Sequence, residues 1–115
     1  MAGAFGAHAL RDVLPASALE TWKTAVLYHL LHAVLLVGIG IWSQILIVSG
    51  HSRSLPLELS GWLLLTGILL FSGSLYGLAL GGPALLGPIT PLGGVSFILA
   101  WIALLVAAAR GTGAP

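Results

Sequence analysis

The side chains best suited to chemistry in this chain are Tyr28, His29 and His32, with His8 nearer the N-terminus. His29 and His32 are three residues apart, so on a helix they share one face. Their surroundings are mostly apolar, and ionisable groups within an apolar membrane segment are costly enough to raise a functional hypothesis by themselves. The residue types therefore direct attention to imidazole chemistry.

Three interpretations of the histidines stay open at the level of sequence. Neutral imidazoles could hydrogen bond to backbone, serine or tyrosine groups of neighbouring helices. His8, His29 and His32 could instead hold a metal ion or a haem, because imidazole binds copper, zinc and iron. They could also pass protons or respond to pH, because histidine changes charge near neutrality. The carboxylates lie near predicted helix ends, which argues against a di-iron site; they are Asp12, Glu20 and Glu58.

A second polar group consists of Ser72, Ser74 and Tyr76, which flank Gly73 and Gly77. We predict that these hydroxyls form hydrogen bonds between helices beside a close-packed seam. The alternative, that they line a substrate path, requires a water-filled cavity. No nucleophile motif, phosphate-binding loop, zinc-protease motif or paired carboxylate is present. We therefore predict no catalytic residue, no cofactor and no enzymatic activity.

The composition is that of an integral membrane protein. Of the 115 residues, 58% are hydrophobic and 6% are charged, whereas a soluble surface requires about a quarter of the residues to be charged. The net charge of +1 and the lack of any Lys/Arg cluster argue against a nucleic-acid partner. The absence of cysteine excludes disulfides and thiolate metal sites.

The elements that position these side chains are membrane helices. Residues 59–81 carry no charged side chain, and a helix of that length reaches about 34 Å, enough for a hydrocarbon core of about 30 Å. Further membrane helices are predicted at 18–48 and 92–109, with a partial helix at 1–11 that is too short to cross alone. The predicted fold is an all-α, polytopic transmembrane helix bundle, one domain over residues 1–115 with three full spans plus a partial N-terminal helix.

Two local motifs refine this picture. Ser17 followed by Glu20 fits a capping box at the start of the 18–48 helix. Gly73, Gly77 and Gly81 recur every fourth position, on one face of the predicted 59–81 helix. Such spacing allows the backbone of a neighbouring helix to approach closely.

Four segments of the chain together resemble one family of small membrane proteins, the transmembrane-protein-256-like proteins, which form a domain of unknown function. The segments are GAFGAHAL at 3–10, TAVLYHLLH at 24–32, SGWLLLTGILLFSGSLY at 60–76 and LGPITPLGG at 86–94. The resemblance implies a four-helix membrane protein with no established activity. Family members carry a longer apolar segment before the first motif, so we expect either an upstream translation start or a shortened first helix, and favour the former.

The sequence favours a structural or accessory role over chemistry. We expect the protein to lie in the bacterial inner (cytoplasmic) membrane and to pack against a larger membrane complex or against itself, with Gly73, Gly77 and Gly81 at one contact. One alternative is a small transport or proton-conducting oligomer that uses His29 and His32. The other is a histidine-ligated metal or haem subunit.

Overall fold

Three long helices make up most of the chain. The computed structural model describes residues 2–5, 9 and 13–110. A short helix α1 (Ala2–Phe5) precedes α2 (Ala16–Val48), α3 (Leu55–Ala79) and α4 (Leu86–Arg110), and the described residues contain no strand. Each of the three long helices is long and apolar enough to span a membrane. The predicted all-α class and its three spans are confirmed, while most of the partial helix predicted at 1–11 lies outside the described residues.

Helix α2 begins without the predicted capping box. Its N-cap is Pro15, in an extended conformation and with no side-chain capping bond. Ser17 lies inside the first turn, where its carbonyl oxygen accepts a hydrogen bond from Thr21 Oγ1 at 3.2 Å. The prediction was wrong because the helix begins directly after Pro15, so its N-cap lies two residues before Ser17.

Glycines in the left-handed region end both α2 and α3. Gly50 has φ +82° and Gly81 has φ +86°. After α2, the His51 amide donates to the Leu46 carbonyl at 2.9 Å, and after α3 the Gly82 amide donates to the Gly77 carbonyl at 2.8 Å. This six-to-one bond pairs otherwise orphaned carbonyls at the helix end. Gly81 therefore lies just beyond the end of α3 and terminates it.

Helix α3 begins at a serine cap and contains one π-helical turn. Ser54 Oγ accepts from the Leu57 amide at 3.4 Å, and Pro56 lies in the first turn, where its missing amide is not needed. The π turn covers Ile68–Ser72, and the Gly73 amide donates to the Ile68 carbonyl five residues back. Such a turn shifts the side chains that follow it around the helix axis and is frequent at functional sites.

Helix α4 begins at Leu86, six residues before the predicted start at 92. The prediction left residues 82–91, which contain three prolines, in a loop between the helices. Pro88, however, falls in the first helical turn, where the amide would have no partner within the helix. Pro91 lies inside the helix and removes one further backbone bond.

Helix α3 packs against both of its neighbours, whereas the backbones of α2 and α4 do not approach each other closely. Two serines join α3 to α4 reciprocally: Ser60 Oγ donates to the Ala100 carbonyl at 2.9 Å, and Ser96 Oγ donates to the Leu63 carbonyl at 2.7 Å. The buried apolar core comprises Ile39, Leu46, Leu57, Leu64, Phe97, Ala100 and Ala107. The space left between α2 and α4 is occupied by aromatic side chains.

Candidate functional site: an aromatic cluster around His32

His32 is the most enclosed ionisable side chain in the described part of the chain, with 6% of its surface exposed. Its ring stacks on Phe97, with centroids 3.8 Å apart and planes 13° from parallel. Nδ1 lies 2.8 Å from the carbonyl oxygen of Tyr28, one turn earlier on α2. The indole nitrogen of Trp101 on α4 donates to Nε2 at 3.2 Å. His32 thus bridges the two helices whose backbones do not meet.

These partners determine the protonation pattern of the ring. The Tyr28 carbonyl only accepts and the Trp101 indole N–H only donates, so the proton must sit on Nδ1 and the lone pair on Nε2. Both nitrogens of the neutral ring are then satisfied. The arrangement therefore leaves no ring nitrogen of His32 free for a metal.

Two glycines allow the rings around His32 to pack. A Cβ at Gly67 on α3 would overlap the ring of Phe97, at 2.5 Å from its Cε1 atom, and a Cβ at Gly93 on α4 would overlap the backbone of Phe71. Phe71 and Phe97 are in tilted contact, with centroids 5.6 Å apart. Close approach at these glycines places the aromatic rings of α3 and α4 against those of α2.

His29 faces a different helix from His32. Its Nδ1 atom lies 2.9 Å from the hydroxyl of Tyr76 on α3, and the Tyr76 ring contacts buried Trp22 with centroids 4.6 Å apart. His29 and Tyr76 also line a cavity of about 300 Å³, to which α1 contributes Gly3. His29 therefore contacts α3 and His32 contacts α4, although the two histidines are only three residues apart.

The serines of α3 are hydrogen-bonded to their surroundings. Ser72 Oγ donates to the Ala25 carbonyl of α2 at 2.9 Å. Ser74 Oγ lies 2.5 Å from Thr90 Oγ1 of α4 and 2.9 Å from the Phe71 carbonyl. The π turn directs Ser72 toward α2. All three α3 hydroxyls singled out in the sequence thus contact a neighbouring helix.

No metal site is assembled in the part of the chain that the structure describes. No group of three His, Asp or Glu side chains is placed to hold an ion there, and His8 lies outside the described residues. His32 has both nitrogens committed. The geometry of the described residues is therefore that of a hydrogen-bonded packing cluster with one adjoining aromatic cavity.

Residues 2–94 match the family described as a protein of unknown function, DUF423. The chain belongs to the DUF423 family. Similar proteins include the UPF0382 membrane protein YwdK of Bacillus subtilis, 44% identical over 108 residues, covering 94% of this chain and 84% of the relative. A UPF0382 membrane protein of Staphylococcus epidermidis is 43% identical over 111 residues, covering 96% of this chain and 85% of the relative. No solved structure matches this DUF423 protein.

The glycines predicted to form one seam of this DUF423 protein have three different environments. Gly73 is exposed, and the nearest atom to a Cβ there would be the Ile68 carbonyl oxygen of its own helix at 4.0 Å. Gly77 is covered by Leu86, whose Cδ1 would lie 2.6 Å from an added Cβ. Gly81 follows the end of α3. Their contact with a partner stays a prediction, and within the chain the close helix approaches occur at Gly67 and Gly93.

Sequence reasoning missed the α3 and α4 members of the aromatic cluster. Phe97 and Trp101 are four residues apart, the spacing of one helix face, and this was a usable signal. Phe71 carried no comparable signal, because its position depends on the π turn. Trp101 contacts His32 across 69 residues, a pairing that no local spacing reveals.

Proposed function

We propose that this DUF423 protein is a non-catalytic structural or accessory subunit of a bacterial inner-membrane assembly, formed with a larger membrane complex or with further copies of itself. One observation carries the proposal: every buried side-chain nitrogen or oxygen in the described residues has a hydrogen-bond partner. Most of these bonds join helices; they are made by Ser60, Ser72, Ser74, Ser96, His29 and His32. Polar groups that hold helices together are typical of a packing module.

The surface around Gly73 supports a contact with another membrane helix. A small, exposed residue within a membrane span allows a second backbone to approach closely. Gly73 offers this space on its outer side, whereas Leu86 already covers Gly77. The contact that the sequence placed at Gly73, Gly77 and Gly81 is therefore proposed to centre on Gly73.

The rival functions have less support from the geometry. Proton conduction and metal or haem ligation both need imidazole nitrogens that can exchange partners. His32 has none free, and His29 leaves only Nε2 without a partner among the described residues. We also propose that the chain is related to the transmembrane-protein-256-like proteins. This relationship rests on the four sequence segments.

Co-purification tests the proposal. The tagged protein is extracted from its own membrane in mild detergent, alongside Gly73→Leu and, as a matched control, Gly38→Leu, which also adds a leucine to an exposed glycine with no atom within 4 Å. We expect Gly73→Leu to reduce recovery of the bound partner at least about tenfold, which corresponds to about 1.4 kcal/mol. Gly38→Leu should leave recovery unchanged. Equal recovery with both variants would contradict the proposed contact.

A further inference from the structure

A cavity of about 460 Å³ opens beside the His32 cluster, between α2 and α4. Its walls include four aromatic side chains, and Gly94 contributes a wall with no side chain; the aromatic residues are Tyr28, Phe71, Phe97 and Trp101. Volumes of this size are typical of small-molecule sites. The cavity exists because α2 and α4 stay apart along their backbones and are bridged only by side chains.

The aromatic rings that line this cavity are held in place by contacts with neighbouring residues. His32 stacks on Phe97 and accepts the Trp101 indole N–H, while Gly67 receives the far side of Phe97. Tyr28 contacts Phe71 with centroids 4.6 Å apart. Fixed rings bind a flat ligand without the entropic cost of ordering them first. The His32 cluster therefore preorganises one wall of the cavity.

A single uncommitted polar group lines the cavity. No described residue hydrogen bonds to the Tyr28 hydroxyl, and Tyr28 is 38% exposed. Tyr28 lies about 8 Å along α2 beyond Lys23, inside the apolar part of the span. A hydroxyl without a partner in hydrocarbon is costly. A ligand oxygen that accepts its hydrogen bond would remove this cost.

The lack of negative charge around the cavity disfavours a cationic ligand. Aromatic cages bind quaternary ammonium groups, but a cation at this depth also needs a counter-charge. The described carboxylates, Glu20 and Glu58, lie near the first turns of α2 and α3 and do not line the cavity. A flat, uncharged ring with a carbonyl acceptor fits the lining better.

We propose that this cavity binds the head ring of a lipophilic quinone, lying against the exposed Trp101 ring with a carbonyl oxygen accepting from the Tyr28 hydroxyl. The isoprenoid tail leaves through the open side of the cavity into the bilayer. The proposal concerns binding alone and is independent of any larger assembly, because all the lining residues come from one chain.

The test uses the purified full chain in detergent and a 1,4-naphthoquinone with one short isoprenoid tail. The matched probe is the naphthalene hydrocarbon with the same tail, and binding is followed by calorimetry. We expect saturable binding, with the quinone preferred about five- to tenfold, the worth of one hydrogen bond. Tyr28→Phe should abolish that preference and leave hydrocarbon binding unchanged. Gly94→Leu, which fills the cavity, should abolish binding of both probes, whereas Gly38→Leu should not.

Several outcomes would overturn the proposal. Linear, non-saturating uptake of both probes would mean that the cavity holds only lipid chains. Equal affinity for quinone and hydrocarbon in the wild type would mean that the Tyr28 hydroxyl does not hydrogen bond to the ligand. Tighter binding of tetraethylammonium than of the quinone would identify a cation cage instead. Saturable quinone binding that survives Gly94→Leu would place the ligand elsewhere.

Discussion

Among the described glycines, Gly93 would bring an added Cβ nearest to the backbone of another helix, and it gives the most demanding prediction. A Cβ added there would lie 2.7 Å from both Cα and Cβ of Phe71 and would overlap the Phe71 amide nitrogen. Ordinary contact begins at 3.4 Å, so Gly93→Ala forces the backbones of α3 and α4 apart by at least about 0.7 Å. Main-chain atoms within two spans cannot rotate away as a side-chain tip could.

The expected magnitude follows from this comparison. Overpacking a core costs about 1–3 kcal/mol, and because the obstacle here is backbone we expect Gly93→Ala to lie at the upper end, near 3 kcal/mol. Gly94→Ala is the matched control, since its Cβ would meet only Phe71 Cδ2, at 3.9 Å. The control should be neutral or should stabilise by up to about 1 kcal/mol through helix propensity.

The assay is reversible unfolding in mixed micelles, followed by far-ultraviolet circular dichroism as denaturing detergent is increased. Subtracting the unfolding free energy of one variant from that of the other cancels the gain in helix propensity that both share. Equal unfolding free energies for Gly93→Ala and Gly94→Ala would refute the contact between α4 and the π turn of α3, and with it the placement of the aromatic cluster.

Further predictions use the same unfolding assay unless stated. Ser54→Ala should cost about 1 kcal/mol as a lost cap, whereas Ser17→Ala should have no effect; a loss with Ser17→Ala would restore the capping box. Ser60→Ala should cost about 0.6 kcal/mol, the average for a hydrogen bond between membrane helices. An unchanged unfolding free energy would contradict the hydrogen bond from Ser60 to α4. Nitrogen NMR at pH 7 should find Nδ1 of His32 protonated and Nε2 bare, and the Nε2 resonance should shift in Trp101→Phe. The opposite tautomer would contradict the hydrogen bonds described above.

The three spans could be predicted because length and absence of charge are sufficient to define them. Residues 59–81 and the run ending at Arg110 needed no tertiary information. The start of α4 was placed too late because Pro88 and Pro91 resemble loop residues, yet the first turn of a helix tolerates proline. Gly81 was assigned to a packing face although the same residue type also ends helices, and spacing alone does not distinguish the two roles.

The site could be predicted only in part, for a physical reason. That His29, His32 and Tyr76 need hydrogen-bond partners followed from the cost of polar groups in hydrocarbon. Their partners did not follow, because the pairing of His32 with Trp101 depends on how α2 and α4 are spaced by α3. The π turn, which directs Ser72 to α2, depends in the same way on contacts between distant segments.

The proposed packing of this DUF423 protein within a membrane assembly predicts the mass of the species that it forms. Native mass spectrometry of the wild-type protein, released from its own membrane in mild detergent, tests this most directly. We predict a dominant species heavier than the 11.8 kDa chain, containing either a larger membrane complex or several copies of the chain. A dominant 11.8 kDa monomer, under conditions that preserve other membrane complexes in the same sample, would contradict it.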